Sequence, residues 1–387
     1  MTQAGAKTSD VIVIGGGVIG MAHALAASAA GLSVRLIERH RSPHGASVRN
    51  FGMIWPIGQA AGVPLETAHR SRELWLELGE AAGFTVRRCG SLHLAHREDE
   101  WAVLREFAAQ EGEGRSIELI DAHETRERCP AVRADSLIGS MWSPAELGVD
   151  PREAIAKSFA YLTESGRVRV ERGVAIGVRD RTVTLSDDRA FAAQHVFVCS
   201  GADFQTLYPQ VYARSPLVPC KLQMLRTAPQ PDGWRLDQHV VAGLTLLHYS
   251  SFASCPSFAS LRARMDEEQA ERRAHGIHVL VTQNHLGELV IGDSHHDDPE
   301  ADEPFDSGRV NELILGELER FLVAPDLKPT HTWHGVYARH REGLPWHQED
   351  PEPGVRIVNG LGGGGMTLSL GLGERMAHEC LAAPTPA

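Results

Sequence analysis

Two groups of residues in this 387-residue chain have the types and spacing to do chemistry. The first is "ARHREGLPW" (residues 338 to 346), which gathers Arg339, His340 and Arg341 shortly before the glycine run Gly362 to Gly365 in "NGLGGGGMTLSLG". Guanidinium groups clamp anions through paired, directional hydrogen bonds. If the stretch is extended, a period of two puts Tyr337, Arg339 and Arg341 on one side and His340 on the other. The two arginines then either hold a highly charged anion or lie on the surface beside acids such as Glu342. The second group is Gly15, Gly17 and Gly20, a G-x-G-x-x-G directly after a strand-like run and at the start of a helix-like one. In that context the glycines give a tight turn, close backbone approach to a pyrophosphate, and close packing of helix on strand. The free N–H groups of a helix beginning at Val18 and Ile19 favour the phosphates. Glu38, with Arg39 after it, falls where a carboxylate accepts hydrogen bonds from ribose hydroxyls.

The elements that must position these groups are legible in outline. "DVIVIGGGVIGMAHALAASAAGLSVRLIERH" reads as strand, glycine turn, Ala-rich helix, a stop at Gly31 and a second strand ending at Glu38, hence a βαβ unit with a parallel, covered sheet. The apolar run from Val11 to Leu32 imitates a membrane span, but its glycine cluster and His23 suit the βαβ reading better. Helical patterns follow in "ETAHRSRELWLELGEAAG", "EDEWAVLREFAAQEG" and "DPREAIAKSFAYLTESG", and strand patterns in "SLHLA", "VRVERGVAIGVR", "RTVTLS" and "QHVFVCSG". From Pro216 to about Thr330 β-runs dominate, broken by the charged helix "LRARMDEEQAERRAH"; the C-terminus returns to strand, glycine loop and helix. The expected architecture is a Rossmann-like dinucleotide-binding domain (1–82, 135–215 and 331–387) with an inserted, mainly antiparallel substrate domain (83–134 and 216–330), in the α/β plus α+β class. "DDPEADEPFDSG" reads as a solvated acidic loop.

Composition narrows the function. A hydrophobic content of 42% supports sizeable cores, and a net charge of −12 argues against a broad nucleic-acid or anionic-membrane surface. The local basic patch is therefore expected to serve a small anion. The six cysteines are scattered without a CxxC pair, as expected of reduced thiols in a cytoplasmic protein, and the polar N-terminus does not read as a signal peptide. His295, His296, Asp297 and Asp298 are metal-ligand types, but the stretch reads as a loop and no metal is expected.

"GASVRNFGM" (45 to 53), "VFVCSGADF" (196 to 204), "WHGVYARHREGLPW" and "VRIVNGLGGGGMTLSLGLGERMA" resemble, in order and over nearly the whole chain, the D-amino acid oxidase, glycine oxidase and sarcosine oxidase superfamily of FAD enzymes. The resemblance implies FAD as cofactor. It places Ser47, Arg49 and Asn50 near the pyrophosphate and flavin, Val174 at the adenine through its main chain, Ser200 and Gly201 in the cofactor set, and Gly363, Gly364, Gly365, Met366 and Thr367 at the isoalloxazine. The last assignment has independent support: glycines allow a backbone to approach a flat ring, and a helix starting near Thr367 favours negative charge on it. "ASVRNFGMIWPIGQ" is similar to a subgroup associated with phosphonate breakdown, for which oxidative deamination of an aminophosphonate has been proposed.

The superfamily's amino acid oxidases carry G-x-R-P, whose Arg pairs with a substrate carboxylate; here the stretch is Gly335, Val336, Tyr337, Ala338. A simple α-amino acid would lose its bidentate anchor, which suggests a larger anion held by Arg339 and Arg341. His248 and Tyr249 of "HYSSFASCPSF" are further candidates to face the flavin, and Trp55 and Trp333 to line the cavity or pack beneath it. The resemblance implies hydride transfer from the carbon bearing a neutral amine to flavin N5, with hydrolysis of the imine and oxygen as expected acceptor. The family's oxygen-facing lysine has no counterpart in "GELVIGDS", so another acceptor remains an alternative. Amino acid, N-methyl amino acid or hydroxy acid oxidation, and a flavin-binding protein without turnover, are the other readings.

Overall fold

A computed structural model describes residues 7–164, 166–297 and 304–382. Its first sheet is built on β1 (Lys7–Ile14) and β2 (Val34–Glu38), which run parallel with Val11 opposite Val34 and Ile14 opposite Ile37. The helix α1 (Val18–Ala29) makes the crossover between them. The apolar run Val11 to Ile14 of β1 and Val34, Leu36 and Ile37 of β2 are buried because helices cover the sheet. Strand order across the sheet is Ala175–Arg179, Thr182–Leu185, Ala190–Val198, β1, β2 and Val168–Arg172. Val355–Asn359 adds in parallel beside Ala190–Val198 and pairs with His347–Glu352.

Among the described residues the second sheet has nine strands and is antiparallel except where His239–Ala242 runs parallel to Ser91–Ala95. Its long members are β3 (Leu217–Pro229) and β4 (Pro329–His340), paired from Leu217 opposite His340 to Thr227 opposite Pro329. The fold expected from sequence is thus present, but two strands depart from the expected division. Gly139–Ser143 and β4 lie mostly in segments assigned to the dinucleotide-binding domain, yet both pair into the second sheet. Each sheet has its own core, one around Val13, Leu36, Met21 and Trp75 and the other around Leu92, Leu225, Ile291 and Leu313.

The last helix, α2 (Gly365–Ala382), begins two residues before the expected Thr367 and follows a 3-10 turn at Gly362–Gly364. The spacing "LGLG" has a packing cause. A Cβ at Gly371 would stand 2.3 Å from the Thr67 carbonyl oxygen, and one at Gly373 would stand 2.7 Å from the Ala22 carbonyl carbon. These glycines seat α2 directly on α1 and on the helix Val63–Ala82. The five cysteines other than Cys380 are buried and unpaired, and among the described residues no helix is long and apolar enough to cross a membrane.

Candidate active site

One cavity of about 840 Å³ runs from the β1–α1 turn to the wall formed by β3 and β4. At its first end Gly15 has φ +100°, and a Cβ there would lie 2.2 Å from the Cys199 carbonyl oxygen. Gly17 is the N-cap of α1 and leaves its first turn open to the cavity; Val18 and Ile19 line it. Gly20 is buried outside the lining: a Cβ there would meet the Gly15 carbonyl oxygen at 1.9 Å, so its role is to let the helix close onto the turn. The Val18 N–H donates to Ser47 Oγ at 2.8 Å, which brings the serine to the positive end of the helix. Glu38 is 7% exposed and accepts from the N–H groups of Gly16 at 2.6 Å and His40 at 2.8 Å. Arg39 pairs with Asp203 at 2.8 Å across the same rim.

The other expected cofactor residues divide by role. Val174, Ser200 and Gly201 line the cavity; the Val174 carbonyl accepts from Ser186 N–H at 2.9 Å, and Ser200 Oγ lies 2.9 Å from the Tyr212 hydroxyl. Arg49 and Asn50 line it too, but their side chains shape the protein. Asn50 Nδ2 donates to the carbonyls of Ala46 and Ser47, its Oδ1 accepts from Gly52 N–H at 2.7 Å, and Arg49 Nη1 donates to the His334 carbonyl at 3.0 Å. Gly363, Gly364, Gly365, Met366 and Thr367 all line the cavity. The Thr367 hydroxyl is occupied by the Trp55 N–H at 2.9 Å and the Met366 carbonyl by Trp75 Nε1 at 2.7 Å, so this segment offers mainly glycine backbone. Bare glycine at the turn and at the loop, with a carboxylate at the end of β2, fits FAD along the length of the cavity.

On the opposite wall Tyr337 and Arg339 line the cavity from β4, together with their buried neighbours Ala338 and His340. Both press on the glycine loop: a Cβ at Gly362 would lie 3.4 Å from Arg339 Cγ and 3.7 Å from the Tyr337 ring. The Arg339 guanidinium pairs with Asp297, and its Nε has no partner among the described residues. Arg341 corrects the expectation of a paired clamp. β4 ends at His340, and Arg341 lies exposed in the turn beyond, off the cavity lining, its N–H donating to the Pro216 carbonyl at 2.9 Å. Period two fails there because the strand has stopped.

Tyr249 lines the cavity beside Trp55, which is 3% exposed; Trp333 instead packs outside, donating from Nε1 to the Arg49 carbonyl. His248, open to the cavity, stacks on His278 with ring centroids 3.7 Å apart, and His295 joins them. Burial pulls His278 and His295 down, His295 to about 4; His248, though open to the cavity, is lowered too, protonation of one ring opposes that of the next, and Arg339 disfavours charge on His248 and His295. Burial likewise pushes the Asp293 carboxyl well up. His278 and Asp293 escaped sequence reasoning. They come from separate segments, joined by reciprocal backbone hydrogen bonds of 3.3 and 3.0 Å, and no local spacing announces that. The metal-like set read from sequence is dispersed: His295 faces the cavity, His296 packs edge-on to His275, Asp297 holds Arg339, and Asp298 lies outside the described residues. The group that does converge, His248, His278 and His295, is a different one.

A glycine cradle joined to a polar wall defines a flavin-dependent oxidoreductase. The profile of the DAO family of FAD-dependent oxidoreductases matches residues 10–379, and the chain belongs to that family. Glycine oxidase of Bacillus licheniformis is 24% identical over 400 residues, covering 98% of this chain and 94% of its own. One component of the anaerobic glycerol-3-phosphate dehydrogenase of Escherichia coli K12 is 29% identical over 246 residues, 61% of this chain, and this chain covers only 44% of that relative. The crystal structure of glycine oxidase from Geobacillus kaustophilus superposes with a TM-score of 0.77 at 22% identity, covering 98% of this chain and 96% of its own, which is a likeness of fold.

Proposed function

We propose that the protein oxidatively deaminates a small amine bearing a strongly anionic group, an aminophosphonate related to 2-aminoethylphosphonate. The observation that carries this reading is the replacement of the G-x-R-P arginine by Tyr337, with Arg339 two residues on, facing the same cavity and pressed against the glycine loop. A phenol cannot make the bidentate pair that an α-carboxylate takes, whereas a displaced guanidinium reaches an anion held further from the reacting carbon.

FAD, when bound, accepts a hydride from the carbon bearing the amine. The chain's own residues bind and orient. Arg339 attracts the anionic end, and Tyr337 and Tyr249 bound the space between anion and glycine loop, excluding water from the C–H bond. Burial holds both phenols protonated, so each is a hydrogen-bond donor and neither a base. The neutral imidazoles leave the substrate nitrogen free to reach its unprotonated form. Oxygen is the acceptor in this reading.

A second reading keeps the anion and changes the reacting bond: the glycerol-3-phosphate dehydrogenase relative is named for a phosphorylated alcohol. Both are tested by mixing the oxidised flavoprotein anaerobically with 2-aminoethylphosphonate, glycine, β-alanine, an N-methyl amino acid and glycerol 3-phosphate. Bleaching by the aminophosphonate at the lowest concentration is expected, and bleaching by glycerol 3-phosphate alone would establish the second reading. Peroxide formed under air identifies oxygen as acceptor.

A further inference from the structure

The histidines on the substrate wall have an arrangement that neither packing nor a metal explains. His248 and His278 stack at 3.7 Å with 25° between planes, and His278 and His295 at 5.1 Å with 23°. One ring nitrogen from each lies within 4.8 Å of the others. Near-parallel stacked rings hold their in-plane lone pairs side by side, whereas zinc-type sites aim them at one centre about 2.0–2.1 Å away. His278 is 4% exposed, and among the described residues neither of its ring nitrogens has a hydrogen-bond partner. Asp293 Oδ1 is also unpartnered: it lies 3.4 Å from His278 Nε2 without the alignment of a hydrogen bond. His295 Nδ1 faces the Gly276 carbonyl at 3.2 Å, which places its proton there and leaves the Nε2 lone pair free. Unpartnered buried nitrogens destabilise a fold unless a ligand uses them.

The wall also lacks charge for its task. The Arg339 guanidinium is already opposed by Asp297, and that of Arg273, also on the cavity lining, by Asp266. An anionic amine enters as a zwitterion, with an ammonium that must lose a proton before its carbon can release a hydride, and an anion that needs cationic partners. One proton transfer satisfies both demands. We propose that the His248–His278–His295 stack accepts the ammonium proton of the bound substrate and, as imidazolium, pairs with that substrate's anionic group. This rests on the reading of the substrate as an anionic amine. The ammonium N–H bond breaks with its electron pair left on nitrogen, and an N–H bond forms on an imidazole nitrogen. Nothing is oxidised in that step, and the proton returns to water when product leaves. The charged and titratable groups facing the stack are Asp293, Tyr249, Tyr337, Arg339, Asp297 and His296. Lost hydration disfavours charge on His278 and His295 when the site is free, and a bound anion favours the charged form of the stack.

The test is titration calorimetry of the holoenzyme near neutral pH, in two buffers that differ in heat of ionisation. The probes are ethanesulfonate, whose charge is fixed and which has no amine, and 2-aminoethanesulfonate. Ethanesulfonate is expected to draw about one proton from the buffer, since it brings none. 2-Aminoethanesulfonate is expected to draw about none, since its ammonium supplies the proton. In His248→Asn, which alters the cavity-facing ring, the uptake disappears while the flavin spectrum stays unchanged. Buffer-independent heat with ethanesulfonate, failure of either sulfonate to bind, or uptake abolished by chelator treatment of a metal-containing preparation would each overturn the proposal. Anaerobic flavin reduction by an aminophosphonate without proton uptake would leave the proposed function standing and remove this inference alone.

Discussion

Arg339 forms an antiparallel backbone bridge with Leu361, which ties the substrate wall to the loop that receives the flavin. The guanidinium is held at its other end by Asp297, so both backbone and head group are fixed relative to the glycine run. Truncating this side chain removes a charged partner from an anion in a partly enclosed site, a loss of about 1.5–3 kcal/mol. Arg339→Ala should therefore raise KM for an anionic amine by about 10- to 150-fold. Steady-state kinetics with Arg341→Ala as control checks it. Arg341 is exposed and off the cavity, so its loss should change KM less than about twofold.

The turn after β1 tolerates no side chain at two of its glycines. Gly20→Ala places a methyl 1.9 Å from the Gly15 carbonyl oxygen, and the helix must move away from the turn that holds the pyrophosphate. The expected result is protein purified without flavin colour, with a thermal midpoint lowered in proportion to about 2–4 kcal/mol. Retention of full flavin content would contradict the close packing assigned to Gly20.

Glu38 organises the dinucleotide end by accepting two backbone N–H groups. In Glu38→Gln an amide N–H₂ must face one of those donors, and the charge that favours ribose hydroxyls is lost. FAD affinity should fall about 10-fold or more, read by fluorescence titration of apoprotein, with kcat at saturating FAD little changed.

Acid should loosen the fold through its buried histidines. Burial lowers His23 and His295 to about 4, and His93 and His239 to about 3, against 6.5 in the unfolded chain. Below 6.5 the unfolded state binds protons that the folded state refuses, so stability falls as pH drops and the loss is complete once the folded values are passed. Each such group costs about 1.4 kcal/mol per pH unit within that window. Thermal midpoints should decline steadily from pH 6.5 to pH 4 and be flat in this respect above 7. A midpoint constant from pH 7 to pH 5 would show that these rings are not buried neutral.

How much of this was legible in the sequence depends on the range of the interaction. Gly15, Gly17, Gly20 and Glu38 belong to one local unit, and their spacing led directly to the turn, the helix start and the carboxylate at the end of β2. The placement of Tyr337 and Arg339 on the cavity was also local, and the expectation failed at Arg341 because the strand end is set by pairing with Leu217, the first residue of β3. The His248, His278 and His295 stack was hidden because three segments reach it by different routes through the second sheet. Sequence proximity instead promoted His296, which the pleat turns to the other face beside His275. The membership of Gly139–Ser143 and β4 in the second sheet was concealed for the same reason, since strand pairing is a long-range choice.

The central claim is that this cavity selects an amine by a strongly anionic group placed away from the reacting carbon. Anaerobic stopped-flow reduction of the flavin by 2-aminoethylphosphonate and by β-alanine, its carboxylate counterpart, tests it most directly, in the wild type and in Arg339→Ala. The account predicts half-maximal reduction at a lower concentration of the phosphonate, an advantage that Arg339→Ala removes. Equal reduction by the two amines, or a phosphonate preference that survives the loss of Arg339, would contradict it.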